Sequence, residues 1–160
     1  TPFQWARMYT NEEYISRAAI VKHAFNEQLN RKSLKYHWHD AEVTVLEGVF
    51  ARGDRKTSEV IKEAYRLGCL YDSWSDQFDN YKWMQAFENT GIDIAFYNLR
   101  ERPLDEVFPW DFIDIGVTKE FLKQEWNHAM NAEVTPNCRM KCSGCGVAKW
   151  KGGVCIESKN

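Results

Sequence analysis

Four of the five cysteines fall in the last 23 residues, as Cys138-Arg139-Met140-Lys141-Cys142-Ser143-Gly144-Cys145, with Cys155 further on. No other feature restricts the fold so strongly. A stretch this short cannot bury four thiols in a core of its own, whereas the spacing C-x3-C-x2-C-x9-C suits side chains that converge on one centre. Two cysteines separated by two residues can reach one tetrahedral ion across a tight turn. Gly144 and Gly146, on either side of Cys145, permit the positive φ angles such a turn uses. The spacing therefore points to a metal site with Cys138, Cys142, Cys145 and Cys155 as ligands. A disulfide pair or simple thiols are the alternatives. Cys69 stands alone in a helical pattern and reads as a small buried hydrophobe.

The charge distribution sets this tail apart. The whole chain has a formal net charge of −2, yet residues 135–160 carry five Lys/Arg against one acid. An acidic body thus bears a basic tail, and a basic metal knuckle can touch phosphate, which makes RNA a candidate partner. At 160 residues and 44% hydrophobic content, one ordinary domain with a small appended module is expected. No run of about 18 apolar residues suggests a membrane span, and no signal peptide is apparent. Cysteines clustered as ligands favour a reducing compartment, so a cytoplasmic location is expected. The chain begins Thr1-Pro2-Phe3 without Met and reads as part of a longer protein, or as a processed or tagged chain.

Periodicity and capping signals predict a mostly α fold with one or two short strands. Thr10 with Glu13 three residues on forms a capping box for a helix over residues 11–31, with Tyr14, Ala18, Val21, Phe25 and Leu29 on one face. Residues 33–39 alternate Leu34, Tyr36 and Trp38 with Lys35, His37 and His39, a strand-like period. Asp40 caps a helix carrying Val43, Leu46 and Phe50. A helix over about 56–67 ends at Gly68, another ends at Gly91, and Thr118 caps the last. Residues 92–97 suit a short strand or extended segment. Thr135-Pro136 closes the helical part and opens the cysteine module.

Two further clusters are candidates for chemistry. On a strand, His37 and His39 would point the same way and could share a metal or bind phosphate, unless they simply lie at a surface edge beside the capping Asp40. In Arg52-Gly53-Asp54-Arg55, two guanidiniums around a glycine turn before a helix suit a carboxylate or phosphate. Asp54 could equally cap that helix and pair with Arg55. Glu47, among apolar residues, would need Arg52 or Arg55 as a partner if buried. The tryptophans Trp74, Trp83, Trp110 and Trp126 read as packing residues. No Ser-His-Asp order, phosphate-binding glycine loop or HExxH motif occurs.

Several phrases together resemble one family. They are Thr1-Pro2-Phe3-Gln4-Trp5, Tyr36-His37-Trp38-His39-Asp40, Leu46-Glu47-Gly48-Val49-Phe50-Ala51-Arg52-Gly53-Asp54-Arg55, Phe108-Pro109-Trp110-Asp111, and Asn137-Cys138-Arg139 with Cys142-Ser143-Gly144-Cys145-Gly146. The chain resembles the C-terminal part of bacterial radical S-adenosylmethionine (SAM) proteins that carry an N-terminal cobalamin-binding-like domain. The resemblance implies a C-terminal extension of an α/β radical SAM barrel, with residues 1–40 as its last elements, 41–131 as a helical region and 132–160 as the Cys-rich metal module. It implies SAM and a 4Fe-4S cluster bound upstream, and as partners the rest of the parent chain and a neighbouring domain of unknown function. RNA or a ribosomal component is the substrate class that fits by analogy. Cys138, Cys142 and Cys145 reproduce the spacing of the radical SAM motif, but only 15 residues follow Cys145, too few for a barrel. The stretch therefore reads as an accessory site, either a zinc knuckle or an auxiliary iron–sulfur cluster. A non-catalytic helical module whose basic zinc knuckle grips RNA or protein is the other reading.

Overall fold

The computed structural model describes residues 1–28 and 32–150. Helices α1 (Asn11–Asn26), α2 (Ala41–Arg52), α3 (Thr57–Arg66), α4 (Asn80–Thr90), α5 (Ile94–Asn98) and α6 (Lys119–Met130) account for the regular structure, with short 3-10 turns at Pro2–Trp5 and Val147–Trp150. The fold is mostly α, and no strand occurs among the described residues. Packing divides the chain into two compact units, one of residues 7–101 and one of residues 1–6 with 102–160.

In the first unit the helix starts follow from local chemistry. The Glu13 amide donates to Thr10 Oγ1 and the Thr10 amide to Glu13 Oε2, so the box is closed at both ends. Both Arg7 nitrogens also grip Glu13, at 2.7 and 2.8 Å. This fork, with the Thr10 amide, holds the Glu13 carboxyl down at about 2. Helix α2 starts where Asp40 Oδ1 accepts the Glu42 amide. Helices α3 and α4 stop the same way. At Gly68 (φ 90°) the Gly68 and Cys69 amides return to the Tyr65 and Ala64 carbonyls. At Gly91 (φ 64°) the Gly91 and Ile92 amides return to Glu88 and Phe87. Such paired closures satisfy the last free carbonyls of a helix and need the left-handed conformation that glycine adopts without cost.

The core of this unit joins Leu46 and Val49 of α2, Val60 and Ala64 of α3, and Trp83, Ala86 and Phe87 of α4, together with Cys69 and Tyr97. Cys69 is buried as expected, and burial raises its thiol pKa. The strand reading of residues 33–39 and the strand or extended reading of 92–97 are corrected. Residues 33–39 run without regular structure, because an extended segment needs a ladder partner and none lies among the described residues. Residues 94–98 form α5, because Asp93 Oδ1 takes the Ala95 amide and starts a helical turn. Helix α1 ends at Asn26, short of the predicted 31, and residues 29–31 lie outside the described ones.

The second unit is centred on aromatic rings. Trp5 and Phe108 are buried, their ring centres 6.0 Å apart, and Phe108 stacks on Trp110 at 5.0 Å. Trp110 Nε1 donates to Gln4 Oε1 at 2.8 Å, and the Arg102 amide donates to the Trp5 carbonyl. Phe3 meets Trp126 of α6 edge-on. Thr118 caps α6 by accepting the Phe121 amide, and Lys119 in its first turn pairs with Asp111. Burial pushes the Asp111 carboxyl up, but Lys119 and the Phe108 amide outweigh it and leave the group below its ordinary value.

Candidate functional site

The cysteine stretch is built on an asparagine turn. Asn137 Oδ1 accepts the Arg139 amide, and its carbonyl accepts those of Met140 and Lys141, so the chain from Cys138 to Cys142 coils tightly. Gly144 and Gly146 have φ 71° and 104°, as the turn reading requires. The loop is anchored by the Thr118 amide, which donates to the Cys145 carbonyl at 2.9 Å. At Gly146 any Cβ would lie 2.8 Å from both the Gly116 carbonyl and the Thr118 methyl, so this approach excludes larger residues.

Cys138 and Cys142 are exposed and Cys145 is half-buried, and no disulfide joins Cys69, Cys138, Cys142 or Cys145. The donor chemistry suits a soft metal, since three thiols lie within eight residues on a turn rich in amides. Among the described residues, no three His, Cys, Asp or Glu side chains gather at a point that would hold an ion. Cys155, the expected fourth ligand, lies outside the described residues.

Beside this loop the structure assembles a group that the sequence did not advertise. A cavity of about 280 Å³ is lined by Glu125 and His128 of α6, by Glu133 and Thr135, and by Lys141 and Cys142 of the cysteine stretch. Thr135 Oγ1 donates to Glu125 Oε1 at 2.7 Å and lies 3.0 Å from His128 Nδ1. His128 Nε2 faces Glu133 Oε2 at 3.8 Å. If Thr135 spends its proton on Glu125, its lone pairs favour a proton on Nδ1. Ala132 (φ 56°) closes α6 in the left-handed conformation, and the Glu133 amide returns to the His128 carbonyl, which brings Glu133 back over the histidine. The available sequence signal was Glu125 and His128 three apart on one helix face.

The other predicted residues are placed as follows. Asp54 Oδ1 accepts the Lys56 amide at 2.8 Å and the Tyr97 hydroxyl at 3.1 Å, and its carbonyl accepts the Thr57 hydroxyl. The carboxylate thus holds the turn into α3, and Arg55 beside it is exposed. Arg52 is half-buried at the end of α2. His37 and His39 are both exposed, and without a strand nothing forces them to one side. His39 lines a cavity of about 370 Å³ with Asp40, Glu47 and Asp72, to which His37 does not contribute. Glu47 is not buried: its side chain is 60% exposed, and its neighbour is His39 Nδ1 at 3.9 Å rather than an arginine.

No helix among the described residues is long and apolar enough to cross a membrane. Compared with protein families, with curated proteins and with solved structures, the chain matches none.

Proposed function

We propose that this chain is the C-terminal part of a radical SAM protein, and that its own contribution is an accessory metal module carried on a helical scaffold. The observation that supports this reading most is local. Three of the phrases that carry the resemblance, Thr1–Trp5, Phe108–Asp111 and Asn137–Cys145, belong to one packed unit. The first two share ring contacts and the Trp110–Gln4 hydrogen bond. Thr118, next to the Asp111 partner Lys119, anchors the third. Residues remote in sequence are thus tied around one loop, as a site requires and a loose tail does not.

In this reading the thiolates of Cys138, Cys142 and Cys145, with Cys155, hold zinc or an auxiliary iron–sulfur cluster. A bound cluster would supply electron transfer, whereas zinc would only fix the loop. Arg52, Arg55, His37 and His39 are the proposed contacts to an anionic substrate. Reductive cleavage of SAM and hydrogen abstraction belong to a 4Fe-4S site elsewhere in the parent protein, in the cytoplasm, with RNA or a ribosomal component as substrate. The alternative, a non-catalytic module whose basic zinc knuckle binds RNA or protein, draws on the position of Lys141 next to Cys142 at the rim of one cavity. The parent protein, purified without oxygen and reduced in the presence of SAM, should release 5′-deoxyadenosine. Absence of that product from protein loaded with iron and sulfide would remove the radical reading and leave the binding module.

A further inference from the structure

Helix α1 has no buried residue. Its neighbours are nonetheless aromatic. Tyr14 meets Trp38 with ring centres 5.9 Å apart, and Phe25 meets Tyr36 at 5.4 Å. The alternation of Tyr36 and Trp38, which suggested a strand, serves instead to lay two rings of an irregular segment against the helix. Two adjoining clefts result, of about 160 and 210 Å³, with Tyr9 and Tyr14 in the walls of both. Arg17, Ala18, Val21, Tyr36 and Trp38 complete the second. Tyr9 and Trp38 are 44% and 46% exposed. Large rings left half in water are a costly way to hold one helix, and they suit a ligand that stacks.

The cations around the clefts differ in kind. Arg7 spends its fork on Glu13. Arg17 makes no ion pair among the described residues, and its guanidinium lies over the Tyr9 ring at 4.2 Å. A guanidinium stacked this way keeps its N–H edge available for an anion. The sequence from Arg7 to His39 carries six Lys/Arg against three Glu, in a chain whose net charge is −2. An aromatic wall beside an arginine that stacks on Tyr9 and feels only the field of Glu13, in a locally basic segment, matches bases joined by phosphates.

We propose that the cleft between α1 and residues 33–39 binds single-stranded nucleic acid, with a base stacked on Trp38 and a phosphate on Arg17, which the Tyr9 ring holds in place. This inference does not rest on the metal module or on the radical reading. It also places the contact in the unit of residues 7–101, away in sequence from the basic cysteine tail.

The test is fluorescence anisotropy of a labelled ten-nucleotide single-stranded RNA, and of its DNA counterpart, titrated with the whole chain at several salt concentrations. Binding should weaken with salt, and duplex RNA should compete poorly. Trp38→Ala should lower affinity about five- to a hundredfold, the range for loss of one stacked base, and Tyr9→Ala, which removes the ring under Arg17, should lower it less. Trp38→Phe, which keeps a ring, should retain most of it. Arg17→Gln should reduce the slope of log affinity against log salt by about 0.7, one phosphate on a single strand. Lys141→Glu with Lys149→Glu should leave binding intact. Circular dichroism checks that α1 persists, and Arg17→Gln and Trp38→Phe keep the test decisive if Trp38→Ala loosens the helix. No binding at low salt would overturn the proposal. So would binding that ignores Trp38→Ala and Arg17→Gln and disappears with the tail charges, or capture only of an apolar peptide.

Discussion

Gly53 sits between Arg52 and Asp54, where α2 hands over to α3, and its requirement for a hydrogen side chain is steric. Its φ of −72° is open to any residue. A Cβ there would lie 2.5 Å from Thr57 Cγ2 and 2.8 Å from the Val49 carbonyl oxygen. The methyl could move only by displacing Thr57, which is buried and whose hydroxyl is tied to the Asp54 carbonyl at 2.8 Å. The carbonyl belongs to the α2 backbone and can move only with the helix. Overpacking of this kind costs about 1–3 kcal/mol, offset by about 0.5 kcal/mol from a stiffer unfolded chain. Gly53→Ala should therefore destabilise by about 1–2 kcal/mol, a fall in Tm of roughly 5–15 °C for a unit this size. Calorimetry or urea unfolding of the whole chain would measure it. Adding Thr57→Ser removes the closer contact and should recover part of the loss. Gly91→Ala, at φ 64° with nothing within 4 Å, should cost about 1 kcal/mol from backbone strain alone, with no rescue by a neighbour. A Gly53→Ala protein as stable as the parent, or a Thr57→Ser change that rescues nothing, would refute the close-approach argument.

Glu13 should titrate far below an ordinary carboxyl, because the Arg7 fork and then the Thr10 amide stabilise its charged form. Its folded pKa lies below the unfolded value of 4.5, so its contribution is present above about 4.5 and is lost as pH falls toward about 2. NMR titration should give a midpoint near 2 that moves up in Arg7→Gln, and a midpoint near 4.5 in the parent protein would contradict this. Ala132 closes α6 at φ 56°, where glycine is unstrained. Ala132→Gly should therefore raise stability by about 0.5–1 kcal/mol in urea unfolding, and a loss of stability would show that the strain is absent.

The helix ends were legible because each rests on a local interaction that the sequence spells out: Thr10 with Glu13, Asp40, Gly68, Gly91 and Thr118. Cys69 is buried as read, although it lies just past the end of α3 rather than within a helix, and Asp54 does hold the turn into α3. The misread stretches are those where the deciding partner is remote or where two local rules compete. Residues 33–39 alternate like a strand, but a strand needs a ladder, and the aromatic half of the alternation found rings on α1 instead. In Ile92-Asp93-Ile94 the same alternation lost to one carboxylate that caps a helical turn. Glu47 has apolar neighbours in sequence, yet a helix rotates about 100° per residue, which turns it out toward His39, so the arginine partner that burial would have required is not called for. The cavity around His128 depends on Glu133 and Thr135 folding back beyond the end of α6. That reversal uses a left-handed alanine, which no residue preference announces.

The central claim is that the cysteine stretch is a metal module. The direct measurement is metal and sulfide content of the chain prepared with and without oxygen, together with its absorption spectrum, for the parent protein and for Cys142→Ala. Either about one zinc in a colourless protein, or iron with sulfide in a brown and oxygen-sensitive one, should be found, and Cys142→Ala should lose most of it. A chain that takes up neither, or a Cys142→Ala protein with unchanged metal, would contradict the account.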